Sequence, residues 1–174
     1  MTDQPKTGPA GVPRLPERLA YGLREAAASP ASRPEAYIRL TVAGGVGGER
    51  YDFEFMADAA GNVLSRLRDE LRTRDVRATP EQRRTDPGRF RQLVESIDVA
   101  AIVRAGRPTG GFPPDSVVGF LEVSDGEQVE SFPFLADQAQ AARAQALAPD
   151  PLVRAVDAVY SAAAAYLGVD DLRP

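Results

Sequence analysis

The sequence predicts an α+β domain. It would hold a small antiparallel sheet of two hairpins, about four to five strands, covered on one face by two amphipathic helices, with a proline-rich N-terminal extension. Three observations carry this. Val117, Gly119, Leu121 and Val123 alternate with Val118, Phe120 and Glu122, and Asp125-Gly126 then turns the chain into a return run Val129–Leu135. Tyr37–Ala43 and Arg50–Ala57 form a second pair of strand-like runs joined through glycines. Asp86-Pro87 and Asp150-Pro151 each precede an apolar stripe of helical period.

Residues 1–36 carry Pro5, Pro9, Pro13, Pro16, Pro30 and Pro34. Prolines at that density remove amide donors and restrict the residues before them, so most of the segment reads as a disordered extension. Within it, residues 16–28 can form a short helix with Leu19, Leu23 and Ala26 on one face. Two roles are open for it: docking on the domain or a partner, or fraying in a linker. Residues 37–168 are read as a single domain and 169–174 as a C-terminal tail.

Tyr37–Ala43 is rich in β-branched residues and opens the sheet. Gly44-Gly45-Val46-Gly47-Gly48 follows, and then Tyr51, Phe53 and Phe55 alternate with Asp52 and Glu54. A phosphate-cradling loop would need a helix after its glycines, whereas here a strand follows. The glycines therefore serve a tight hairpin connection. Beyond the Gly61-Asn62 turn, Val63, Leu64, Leu67 and Leu71 fit a helical stripe, and a third strand continuing the meander fits equally. The hairpin-like turn tips the reading of 63–76 towards strand, with Arg77–Thr85 a charged loop.

From Asp86, the stripe of Phe90, Leu93, Val94, Ile97, Ala101 and Ile102 predicts one long helix closed by Gly106. Residues 136–148, rich in Ala and Gln, read as loop or loose helix. Leu152, Val156, Val159, Tyr160, Ala163 and Leu167 predict the last helix, stopped by Gly168. At about 1.5–3 kcal/mol per fully buried large apolar side chain, both helices are there to cover the sheet.

Composition narrows the chemistry. The chain of 174 residues has no His and no Cys, which excludes imidazole bases, thiolate nucleophiles, disulfides and ordinary zinc sites. Asp58, Asp86, Asp115, Asp125, Asp137 and Asp150 all fall at turns or helix starts, where Asp bonds local backbone. Ser116, Ser124 and Ser131 have no base to activate them and no GxSxG elbow. The expectation is no catalytic, cofactor or metal site, and a function exercised by binding.

Of the 21 basic residues only Lys6 is Lys, a bias that points to GC-rich bacterial coding. Residues 66–91 hold nine Arg against five acids, and residues 108–174 three Arg against ten. Opposed solvated surfaces explain that asymmetry, and a net charge of −4 argues against nucleic acid as a partner. With no apolar leader and no run long enough to span a membrane, a soluble cytoplasmic protein is expected.

The order of these elements resembles a family. A strand, the connection Gly44-Gly45-Val46-Gly47-Gly48, a return strand and a helix ending in VESID come first. Pro114-Asp115-Ser116 entering a strand, a DG turn, a return strand followed by Asp137 and a C-terminal helix complete the layout. Across residues 37–167 this is similar to the emfourin-like proteins, bacterial inhibitors of thermolysin-type (M4) metalloproteases such as protealysin. The resemblance implies a protein that occludes a protease cleft with its loops and performs no chemistry. It directs attention to Gly44, Gly45, Val46, Gly47, Gly48, Phe112, Pro113, Pro114 and Asp115 as partner-binding residues. Val46, Phe112, Pro113 and Pro114 are the large or stiff members of otherwise small segments. Phe112 could instead tuck into the core and start the strand. The competing reading is an adaptor or accessory subunit of a larger complex, held through Leu19, Leu23 and the Arg-rich region.

Overall fold

The computed structural model describes residues 15–28, 36–46, 49–69, 76–106, 112–113, 116–136, 150–168 and 172. The strands are β1 (Ala36–Val46), β2 (Glu49–Asp58), β3 (Asn62–Asp69), β4 (Val76–Arg84), β5 (Val118–Asp125) and β6 (Val129–Leu135). They form one antiparallel sheet in the order β4-β3-β2-β1-β5-β6. The helices are α1 (Leu15–Ala28), α2 (Pro87–Glu95), α3 (Val99–Ala105) and α4 (Pro151–Leu167). None of the described helices is long and apolar enough to cross a membrane.

The α+β class holds, with six strands where four to five were expected. The extra strand is β4, in the segment read as a charged loop. Its sequence VRATPEQRR has no apolar alternation, so the signal that marks the other strands is missing. It is an edge strand, and its register against β3 slips so that Thr79 and Pro80 together face Arg66. A bulge with a proline blunts an edge that could otherwise pair with another chain. The stretch after the Gly61-Asn62 turn is strand to Asp69, as favoured, and 70–75 lie outside the described residues.

β6 is the other edge, a place where Pro133, which cannot donate to a ladder, is tolerated. Ala136 donates to Val117 and Asp125 to Gln128, which fixes the hydrogen-bonding phase of this ladder. By the alternation of antiparallel pairs, Val129, Ser131, Pro133 and Leu135 turn their backbone outwards, and proline removes a donor from the free edge. The turn between β5 and β6 is closed by the Asp125 carboxylate, which accepts from the Glu127 and Gln128 amides. Gly119 in β5 has no Cβ because one would stand 2.1 Å from the Phe134 ring of β6.

Tyr51, Phe53, Phe55, Ile38, Leu40, Val42, Leu121 and Val123 are buried on one face of the sheet, where the helices lie. The long helix expected from 86 to 106 is broken in two. Ser96 ends α2 with its amide shared among Gln92, Leu93 and Val94, and the Asp98 carboxylate caps α3 through the Ala101 amide. A second cap inside a continuous apolar stripe lets both halves bury their faces, Leu93 and Val94 in one and Val99 and Ile102 in the other. Two covering helices were expected, and four are described. α1 is docked, with Leu19, Leu23, Ala26 and Ala27 buried and the Arg91 guanidinium donating to the Ala27 carbonyl. α4 stacks Tyr160 on Phe53 at 5.1 Å between centroids and sets Tyr166 beside Phe55. It starts on the Asp150 cap and ends at Gly168 in the left-handed region, as its sequence announced. Leu172 is buried, and the Tyr51 hydroxyl donates to its carbonyl.

Candidate functional site

The described ends of the two loop segments singled out from the sequence lie at one end of the sheet. β1 enters its hairpin through Gly44 and Gly45, and β5 starts beside it, Ala43 facing Val118. Gly44 lies directly on the segment that leads into β5. A Cβ placed on it would stand 2.5 Å from the Ser116 carbonyl oxygen and 2.8 Å from Val117 Cα, and its φ of 153° is one L side chains rarely adopt. Glycine is thus required here by close backbone approach. The second segment is held by its own bonds: Ser116 Oγ donates to the Pro113 carbonyl at 2.5 Å, and Val117 is buried with its carbonyl taken by Ala136.

Phe112 is half-buried and Pro113 exposed. Gly45 is half-buried at the hairpin end. Val46 closes β1 opposite Glu49. Gly47, Gly48, Pro114 and Asp115 lie outside the described residues. Four of the turn aspartates do what their positions predict. Asp58 accepts from Ala60 and Asn62, Asp86 from Gly88, Asp125 from Glu127 and Gln128, and Asp150 from Leu152. Asp137 lies outside the described residues. Among the described residues no three carboxylates gather in a way that could hold a metal ion.

The open face of the sheet continues from this loop end. Next to the Ala43–Val118–Leu135 row comes Thr41–Phe120–Pro133, and Phe120 is 42% exposed on an interior strand. The sequence placed Phe120 with Glu122, opposite the buried Leu121 and Val123, so the signal for an outward aromatic was present in the alternation.

Further along the same face an ion network joins four strands. Arg39 Nη2 and Nε both donate to Glu54 Oε1, at 2.6 and 3.0 Å, and Nη1 reaches Glu122 Oε2 at 3.4 Å. Arg66 approaches the other Glu54 oxygen at 3.4 Å. Burial works against the Arg39 charge, but the Glu54 hydrogen bond and the Glu54 and Glu122 charges outweigh it and raise its pKa. Tyr37, beside them, is raised above its ordinary value by burial and by the Glu122 charge, with Arg39 partly offsetting. The carboxylates are neutralised by guanidinium groups rather than paired with one another, an arrangement for holding strands and presenting a surface.

On the helix side, a groove of about 480 Å³ opens between α2 and α4. Its floor includes Ala57 of β2 with Ala158 and Ala162 of α4, and Arg89 and Gln92 stand along the α2 wall. The chain matches no known protein-family model and no curated protein.

Proposed function

We propose that this protein is a non-catalytic binding domain that inhibits thermolysin-type (M4) metalloproteases by occluding the active-site cleft with its loops. The observation that supports the reading is that Gly44, at the start of the glycine hairpin, lies against Ser116, at the end of the Phe112 segment. Both segments are anchored to the sheet at their described ends, and such anchoring limits the conformational freedom that binding removes, which tight inhibition requires. The bulged and proline-blocked sheet edges support a contact made through loops rather than by strand addition.

The adaptor reading loses part of its support. Leu19 and Leu23, which were to hold a partner, are buried within the chain itself. A protein rather than a nucleic acid is the proposed partner, in keeping with the net charge of −4.

The test is direct. Purified protein is titrated into thermolysin and related M4 proteases with a fluorogenic peptide substrate, alongside Phe112→Ala and Val46→Asp. Stoichiometric inhibition by the native protein, weakened in at least one variant, is expected. No inhibition at micromolar concentration across the panel would sink the reading, and inhibition unchanged in both variants would remove these residues from it.

A further inference from the structure

The groove between α2 and α4 lies away from the loop end. Ala57 is six residues along β2 from Tyr51, the residue facing Gly44, or about 20 Å at strand rise. Three features bear on what fits there. The lining is largely apolar, with Phe90, Leu93 and the Tyr166 ring beside Ala57, Ala158 and Ala162, so an apolar stripe can lie along it. The walls are two helices, α2 presenting Arg89 and Gln92 one turn apart, so the polar groups form a line. And Arg89 is the one formally charged residue among the described residues of the lining.

Arg89 is also held in place. Its guanidinium carbon sits 5.1 Å from the centre of the Tyr166 ring. Tyr166 is fixed in turn by Thr85, whose hydroxyl is 2.9 Å from the phenol oxygen, and by Arg83, which donates to the Tyr166 carbonyl. Stacking orients a guanidinium while leaving its in-plane N–H donors free for a carboxylate. No described carboxylate forms an ion pair with Arg89. A preorganised cation over an apolar floor, with no acid among the described lining residues, selects an occupant that is apolar on one stripe and acidic on the next.

We infer that this groove is a second docking site, for an acidic amphipathic helix of a partner protein. Its apolar stripe lies on Ala57, Ala158 and Ala162, and a carboxylate meets Arg89. An open channel between two helices suits a helix better than a small ligand, which is bound by enclosure. The site is separate from the loop end, so a protein engaged there can still be held by a second one here.

The probe is a fluorescein-labelled Ala/Leu/Glu peptide of about 18 residues, long enough to be helical, with Leu on one stripe and Glu beside it. A twin carries Lys in place of Glu. Anisotropy titrations with the full chain are expected to show saturable binding of the Glu peptide and at least about fivefold weaker binding of the Lys peptide. Arg89→Glu, an exposed change that leaves the fold's circular dichroism intact, reverses that preference, and Ala162→Trp abolishes binding of both. Inhibition of a protease through the loops is unchanged in Arg89→Glu, so this site and the loop site fail independently. Equal binding of the two peptides, no saturable binding of the Glu peptide, or a preference untouched by Arg89→Glu would overturn the inference. So would sodium laurate binding with the same Arg89 dependence while the peptide does not bind.

Discussion

Two phenylalanines on one sheet show how differently its faces are built. Phe53 is 2% exposed and stacks on Tyr160, whereas Phe120, on a neighbouring part of the sheet, is 42% exposed beside Thr41 and Pro133. The helix side is a buried apolar interior. The open side is a partly exposed surface whose strands are joined by arginine–carboxylate pairs. Residue type therefore says little about a position's role here. The face it occupies says most.

That contrast breaks most visibly on the packed side. Phe53→Ala is expected to cost about 3–5 kcal/mol, through lost burial and a cavity beside Tyr160 that the helix cannot fill. Urea denaturation would show it, and a loss below 1 kcal/mol would mean that α4 is not packed on β2. Gly119→Ala comes next, at about 1–3 kcal/mol, because the new methyl meets the Phe134 ring and an edge strand must shift. On the open face the scale drops. Glu54→Gln, which leaves Arg39 and Arg66 without their shared carboxylate, is expected to cost about 0.2–1 kcal/mol, since Arg39 and Arg66 are well exposed. Phe120→Ala should fall within about 0.5 kcal/mol of the native protein. If it instead destabilises as Phe53→Ala does, the open face is covered in solution.

The pH dependence sharpens the same comparison. Tyr37 has its pKa raised in the folded chain, so folding favours its protonated form. Its contribution is fully present below the ordinary tyrosine pKa of about 10 and is lost as pH rises through the folded value. Thermal melts from neutral to alkaline pH should show a small loss beginning near pH 10 that Tyr37→Phe removes. An unchanged profile in that variant would show that Tyr37 does not carry it.

Legibility in the sequence followed signal strength. Helix starts at Asp86-Pro87 and Asp150-Pro151 and the stop at Gly168 could be read because a cap is a local bond between neighbours. Period-two alternation revealed β2 and β5, β-branched content revealed β1, and the Asp125-Gly126 turn revealed β6. β4 could not be seen, because an edge strand made of Arg, Glu and Gln carries no apolar period. The break at Ser96–Asp98 was hidden by a stripe that stays in phase across it, though Asp98 is itself a capping residue. At the candidate site, the glycines and the Phe112–Ser116 segment were each visible, but the contact between Gly44 and Ser116 was not. The groove was invisible, since Arg89, Tyr166 and Ala57 share no local pattern.

The amino-acid order determined most of the inventory: the stretches that extend or coil with an apolar period, the capped starts at Asp86 and Asp150, and that no imidazole or thiol is on hand. Those follow from bonds and steric limits spanning a few residues. Only the tertiary structure decided that β1 stands between β2 and β5, that α1 belongs to the core, and that two distant loops share one end. Such choices depend on which apolar faces can be buried together, and that free energy is a property of the assembled layers rather than of any one segment.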